Sequence, residues 1–288
     1  FRGRLSAQER LQQGADGRDT ARLLSAVQDE VITALYDFTT THVFRARNPT
    51  DGERMAVMAT GGYGRGVLAP SSDIDLLFVR SYKACAHTES VIEYMLYALW
   101  DMGLKVGTAI RTIDECIRLA KDDVTIKTSI LDARYMCGDK ALADEMLARF
   151  QKECVDGNDA QFIADKLAER DNRHARQGNA RYVVEPNIKE GKGGLRDLQT
   201  LYWITKHLEG GTVLEDVMQS GPFTDHEFQV FTRAAQFLWT VRCHLHYLTG
   251  RAEERVSFDL QPEIAARMGY RDRTGQLGVE RFMKRYFL

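Results

Sequence analysis

Apolar side chains at Leu24, Val27, Val31, Leu35 and Phe38 recur every three or four residues, which predicts an amphipathic helix between Asp19 and Phe44. The stretch before it, residues 1–18, is polar with three glycines and predicts a loosely packed entry. Arg45 to Arg54, with Asn48-Pro49 and Asp51-Gly52, reads as a turn. Two short apolar runs follow, Met55 to Ala59 and Ile74 to Val79, and read as strands; only Asp75 interrupts the second. Helical spacing returns from His87 to Met102 on Val91, Tyr94, Met95, Ala98 and Leu99, and Gly103 closes it. Leu104 to Arg111 reads as a third strand, and the capping box Thr112-Ile113-Asp114-Glu115 opens a short helix to Ala120. From Asp123 to Cys137 helix and strand compete, with Ile126, Ile130, Leu131 and Tyr135 favouring helix. Asp139 to Cys154 and Asn158 to Gln177 are helical, separated by Gly157.

A second region opens near Arg181, with an extended piece from Tyr182 to Asn187 and a loop from Lys189 to Gly194. Helices are expected over Leu195 to Leu208 (broken at Gly210-Gly211), Thr224 to Thr249, Pro262 to Met268 and Val279 to the end. The predicted class is α+β: a small mixed sheet with flanking helices, followed by a helical domain. The predicted divisions are 1–50 for the entry, 51–155 for the core and 156–288 for the helical part. Apolar residues at 44% and only five prolines suit a packed, mainly helical chain. Net charge is −2, with 39 basic against 41 acidic residues, so bulk charge gives no reason to expect a nucleic-acid partner. No run of eighteen apolar residues is present, so no membrane span is expected, and five scattered cysteines without a CxxC pair suggest a reduced, cytoplasmic setting. Phe1 at one end and Phe287-Leu288 at the other suggest a piece of a longer polypeptide.

The chemistry concentrates in TGGYGRGVLAPSSDID, Thr60 to Asp75. Strand residues two apart point to one face, so Asp73 and Asp75 would project together. Adjacent carboxylates repel unless a cation lies between them, and hard oxygen ligands suit Mg²⁺. Glycines at 61, 62, 64 and 66 let backbone N–H groups approach a phosphate. The plain alternative is a hairpin with solvated aspartates, but Asp75 stands among apolar neighbours, where an unpaired carboxylate is costly. Lys189-Glu190-Gly191-Lys192-Gly193-Gly194 before Leu195-Arg196 reads either as a second phosphate cradle, with charge from Lys192 and Arg196, or as an exposed linker; its spacing is not that of a P-loop. His244 and His246 are two apart on one helix and cannot form a zinc pair, so they and Arg242 read as structural. Trp100, Trp203 and Trp239 read as core.

The stretch GGYGRGVLAPSSDIDLLF resembles the glycine-and-DxD motif of the polymerase-β-type nucleotidyltransferase superfamily, and within it the PII uridylyltransferase/uridylyl-removing family. LKVGTAIRT, NIKEGKGGLRDL, RCHLHYLTGR and FDLQPEIAARMGY are similar to further segments of that family. The resemblance implies transfer of UMP from UTP to a tyrosine hydroxyl of the PII signalling protein in nitrogen regulation, with Mg²⁺ on Asp73 and Asp75. Residue by residue it carries over Gly61, Gly62, Asp73 and Asp75; Arg65, Ser72, Lys192 and Arg196 are further candidate nucleotide contacts. The superfamily uses a third carboxylate on a neighbouring strand, yet Val106 to Arg111 contains no acid; Asp132 is the candidate, or else a surface partner of Arg134 or Lys127. Adenylyl transfer to a protein such as glutamine synthetase, and a silent nucleotide-binding module, are the alternatives. The family continues with a phosphohydrolase and glutamine-sensing domains, so removal of UMP and a response to glutamine are expected only in the full-length protein.

Overall fold

The computed structural model describes residues 2–46, 50–82, 85–178, 183–210 and 223–288. Parts of three sequence expectations, the Asn48-Pro49 turn, the start of the extended piece at Arg181-Tyr182, and Gly211, lie outside them. The chain begins with α1 (Arg2–Gln12) and α2 (Gly17–Phe38), and a π-turn over Thr39–Val43 prolongs α2. The expectation of a loose entry is thereby corrected. Ala7 and Leu11 are fully enclosed, because α1 places them against the rest of the fold despite its polar composition.

Four strands form one mixed sheet in the order β3–β2–β1–β4. They are β1 (Met55–Ala59), β2 (Ile74–Arg80), β3 (Val106–Thr112) and β4 (Arg134–Gly138). β1 runs antiparallel to both β2 and β4, while β2 and β3 are parallel. β4 corrects the helical preference for the end of 123–137. The segment divides instead, with α6 (Val124–Leu131) ending at Asp132 and the chain then turning into the sheet.

Alternation along β2 builds two cores, one on each face of the sheet. Ile74, Leu76 and Phe78 pack with Val57 and Ala59 of β1, with Leu24 and Ile32 of α2, and with Val91, Met95 and Leu99 of α4 (Ala86–Asp101). Leu77 and Val79 pack on the opposite face with Ala56, Met58, Ile117 of α5 (Ile113–Asp122) and Met146 of α7 (Lys140–Phe150). Full burial on both sides explains why β1 reads as an unbroken apolar run. The Thr112 capping box is present, its hydroxyl accepting from the Glu115 N–H at 3.2 Å.

The remaining helices are α8 (Asp159–Arg176), α9 (Leu195–Glu209), α10 (Asp225–Thr249), α11 (Gln261–Arg267) and α12 (Gly278–Phe287). Leu195, Leu238, Val241, Leu245, Ile264 and Phe282 make a third core, which Leu11 of α1 and Ala21 of α2 also enter. At that crossing the backbones of α2 and α10 nearly touch. The Gly17 N–H donates to Thr240 Oγ1 at 2.9 Å, and a β-carbon on Gly17 would lie 2.3 Å from the Thr240 backbone. Trp100 departs from the sequence reading: it is 49% exposed, edge-on to Tyr97, on the solvent side of α4.

Candidate active site

Between β1 and β2 the chain makes a single helical turn, α3 (Gly61–Gly64). The turn starts with Gly61 at φ +57°, a left-handed conformation that glycine adopts without steric cost. Thr60 N–H donates to Asp75 O at 3.0 Å, which fastens the turn to the first residues of β2. Gly64 is packed so tightly that a β-carbon would lie 2.2 Å from the Asp132 carbonyl oxygen. The N–H groups of Gly61 and Gly62 stand at the start of the turn, ahead of the first donors within it, Gly64 to Thr60 O and Arg65 to Gly61 O.

Asp73 is exposed just before β2, and Asp75 is half-buried within it. Two bare backbones flank the Asp75 carboxylate. A β-carbon on Gly61 would stand 3.0 Å from Oδ2, and one on Gly107 would stand 2.4 Å from Oδ1. Gly107 is the β3 residue in register with Asp75. Burial first, then the charge of Asp73, raises the Asp75 carboxyl above its ordinary range, against the opposing pull of Lys189 and Arg65.

A cleft of about 520 Å³ opens over this pair, lined also by Gly61, Gly62, Arg65, Ser72 and Arg196. Those sequence-selected residues therefore meet in one place. Lys192 does not join them: it is exposed and lines a separate cleft with Arg233, Arg255 and Tyr286. The reason is the way the loop folds. Asn187 Oδ1 accepts from the N–H groups of Lys189 and Glu190 at 3.0 and 2.7 Å, while Gly191 and Gly194 N–H groups turn back onto Asn187 O and Gly191 O. The winding turns Lys189 and Glu190 toward Asp75 and leaves Lys192 on the far wall. Helical or strand periodicity carries no signal for such a turn; the available clue was Asn187 itself, a residue type whose side chain bonds the backbone two residues on.

Asp132 lies in the wall of the same cleft but is almost wholly buried, at 1% exposure. Its Oδ2 accepts from Arg65 Nη1 and, at 2.8 Å, from Trp203 Nε1, and Lys206 Nζ stands 3.9 Å from Oδ1. The alternative of a surface pairing with Arg134 or Lys127 is thereby excluded: Asp132 is paired in the interior, and Arg134 binds Asp29 at 2.9 Å. Trp203 is buried as the sequence reading holds, with Lys166 4.2 Å from its ring centroid. Ser72 accepts from Arg242 Nη2 at 3.4 Å, and Ser71 N–H donates to His246 Nδ1 at 3.3 Å. Glu254 holds both partners, at 3.0 Å from Arg242 Nε and 3.6 Å from His246. Burial opposes ionisation of Glu254, but His246 and Arg242 together outweigh it and bring the carboxyl down to about 2. The structural roles read for Arg242 and His246 are realised in this bracket behind the Asp73 turn. Glu254 and Lys189 are the residues the sequence reading missed.

Among the described residues no group of three or more His, Cys, Asp and Glu side chains converges as a metal cage. Asp73 and Asp75, two neighbouring acids with no direct ion pair among the described residues, instead fit Mg²⁺ in the form it takes with nucleotides. There, one or two carboxylates are joined by phosphate oxygens and water.

This mixed sheet, with a glycine turn feeding a carboxylate pair at the head of β2, is consistent with an α+β nucleotidyltransferase core. Residues 161–288 match the family model described as GlnD PII-uridylyltransferase. The whole chain is 67% identical to the bifunctional uridylyltransferase/uridylyl-removing enzyme of Phenylobacterium zucineum and 63% identical to that of Caulobacter vibrioides. Identity to the enzyme of the same name from a Bradyrhizobium species is 55% over 287 residues. The chain spans 31% of the length of each of these relatives. It belongs to the uridylyltransferase/uridylyl-removing enzyme family, a family of nucleotidyltransferases. Among the described residues no helix is long and apolar enough to cross a membrane.

Proposed function

We propose that this cleft transfers UMP from UTP to a tyrosine hydroxyl of the PII protein, releasing pyrophosphate, as part of nitrogen regulation in the cytoplasm. The observation that carries the reading is the Asp73–Asp75 pair beside the Gly61-Gly62 turn, in a cleft otherwise rich in Arg and Lys. Asp73 and Asp75 would hold Mg²⁺, whose charge would polarise the phosphates and lower the cost of ionising the attacking hydroxyl. The chain's own part is to orient and neutralise. Backbone N–H groups of Gly61 and Gly62 meet phosphate oxygens, and the charges of Arg65 and Arg196 offset the tail. Ser72, which accepts from Arg242 and lines the same cleft, would offer its hydroxyl to those oxygens. The phenolic oxygen forms a bond to the α-phosphorus, and its proton is released to solvent. The bond from that phosphorus to the bridging oxygen breaks, and its electron pair leaves with pyrophosphate.

Asp73→Ala combined with Asp75→Ala is expected to abolish transfer of labelled UMP to PII while circular dichroism and melting stay close to the parent. Transfer that survives in this double variant removes the proposal. Competition between UTP and ATP in the same assay tests the choice of base.

A further inference from the structure

The cations lining the cleft are not equivalent. Arg65 is tied to Asp132, Arg173 to Asp197, and Lys166 to Glu169 at 2.5 Å. Arg196 is held by Glu190 at 3.3 Å, and Arg242 by Glu254 at 3.0 Å. Arg176 is exposed, where water and salt screen it. Lys189 differs from all six. It lines the cleft half-buried, and it has neither an ion pair nor a side-chain hydrogen bond among the described residues.

An ammonium group taken out of water without a counter-ion carries an uncompensated desolvation cost. Burial, followed by the charges of Arg242 and Arg196, pulls the Lys189 ammonium below the ordinary lysine range, and the opposing charges of Glu254 and Glu190 do not offset this. Its backbone is fixed at both ends, so its place is not incidental. The Lys189 N–H donates to Asn187 Oδ1 at 3.0 Å, and its carbonyl accepts from Arg196 N–H at 2.9 Å. Ile188 beside it is fully buried and donates its N–H to Glu254 O at 2.7 Å. The same Glu254 fixes Arg242, so one scaffold holds Lys189, Arg196 and Arg242 around a common space. The Lys189 charge also acts on Asp75 across that space. A cation that the protein builds in without a direct ion-pair partner among the described residues, in the cleft of a carboxylate pair, gains one when a polyanion enters.

We propose that Lys189 binds the triphosphate tail of the nucleotide and takes up the charge that develops on the departing pyrophosphate. The inference rests on the nucleotidyl-transfer reading and adds to it the residue that discriminates a triphosphate from a monophosphate. The test is calorimetric titration of the unaltered chain, Lys189→Gln and Lys189→Arg with Mg·UTP, Mg·pyrophosphate and UMP. The Gln variant is expected to lose roughly 10- to 100-fold in affinity for Mg·UTP and Mg·pyrophosphate, the size of one charge-assisted hydrogen bond. Its affinity for UMP is expected to change by less than about threefold, and the Arg variant to recover most of the loss. Unchanged triphosphate affinity in the Gln variant overturns the assignment, and so does an equal loss for UMP and Mg·UTP. No binding of Mg·UTP by the unaltered chain overturns instead the nucleotidyl-transfer reading on which it stands.

Discussion

At Gly107 a methyl group has nowhere to go, because its carbon would lie 2.4 Å from Asp75 Oδ1. The β3 position beside Asp75 is thus bare, on the strand where the sequence reading looked for an acid and found none. The Asp75 carboxylate occupies the room that a side chain from β3 would need. Gly107→Ala is expected to push that carboxylate aside and lower nucleotidyl transfer by at least about tenfold, since displacement of a reacting group by about 1 Å costs that much or more. The melting temperature should stay close to the parent, because β3 is an edge strand and loses no apolar contact. A variant with unchanged transfer would show that Asp75 can move without consequence. The Asp73–Asp75 pair and the Gly61-Gly62 start of the turn were legible from residue type and spacing. Lys189 was not, because its distinction from Lys192 depends on a loop that winds back on itself.

Among elements, one contact that ties the glycine turn to α9 runs through Asp132, at the end of α6. Its carboxylate joins Arg65, just after α3, to Trp203 and Lys206 of α9. Asp132→Ala leaves Arg65, Lys206 and the indole N–H enclosed without their acceptor. Removing one member of such a buried group is expected to cost about 3–5 kcal/mol of unfolding free energy, read as a lower urea midpoint. A loss within experimental error would mean that solvent replaces the carboxylate at no cost. The helices were legible because their apolar stripes are long. β4 was not, since its five residues follow α6 after only two others and share its apolar spacing. α1 was obscured for a different reason: only two of its apolar residues, Ala7 and Leu11, carry its burial.

For the molecule as a whole, stability should depend on pH through buried imidazoles. His207, stacked on Phe162 with centroids 4.1 Å apart, is brought down to about 4 by burial and then by the Lys127 charge. His244 is likewise brought down to about 4, by burial and then by Arg267. The folded protein therefore resists protonating groups that the unfolded chain protonates near pH 6.5. Their contribution is complete above about pH 6.5, declines as pH falls from there toward 4, and changes little below. Urea midpoints measured across that window should fall with pH, and His244→Leu should flatten the slope. Equal slopes in parent and variant would exclude His244 as a source. The bulk class, a small mixed sheet with helices around and after it, was legible in the sequence, because periodicity reports each element's buried face. What was not legible is how the elements meet. The bracket of Glu254, Arg242 and His246 brings together residues whose partnership no spacing records.

Gly17 and Thr240, nearly in backbone contact, are separated by 223 residues of chain. During synthesis, α2 therefore emerges long before the helix that seals its second face. The sheet and its two cores are complete by Val155, but Ala21 of α2 and Leu11 of α1 remain uncovered until α10 arrives. At about 5–20 residues per second, that interval lasts several seconds or more on the ribosome. During it the nascent chain carries an open apolar seam, and closing the fold is a late, long-range event.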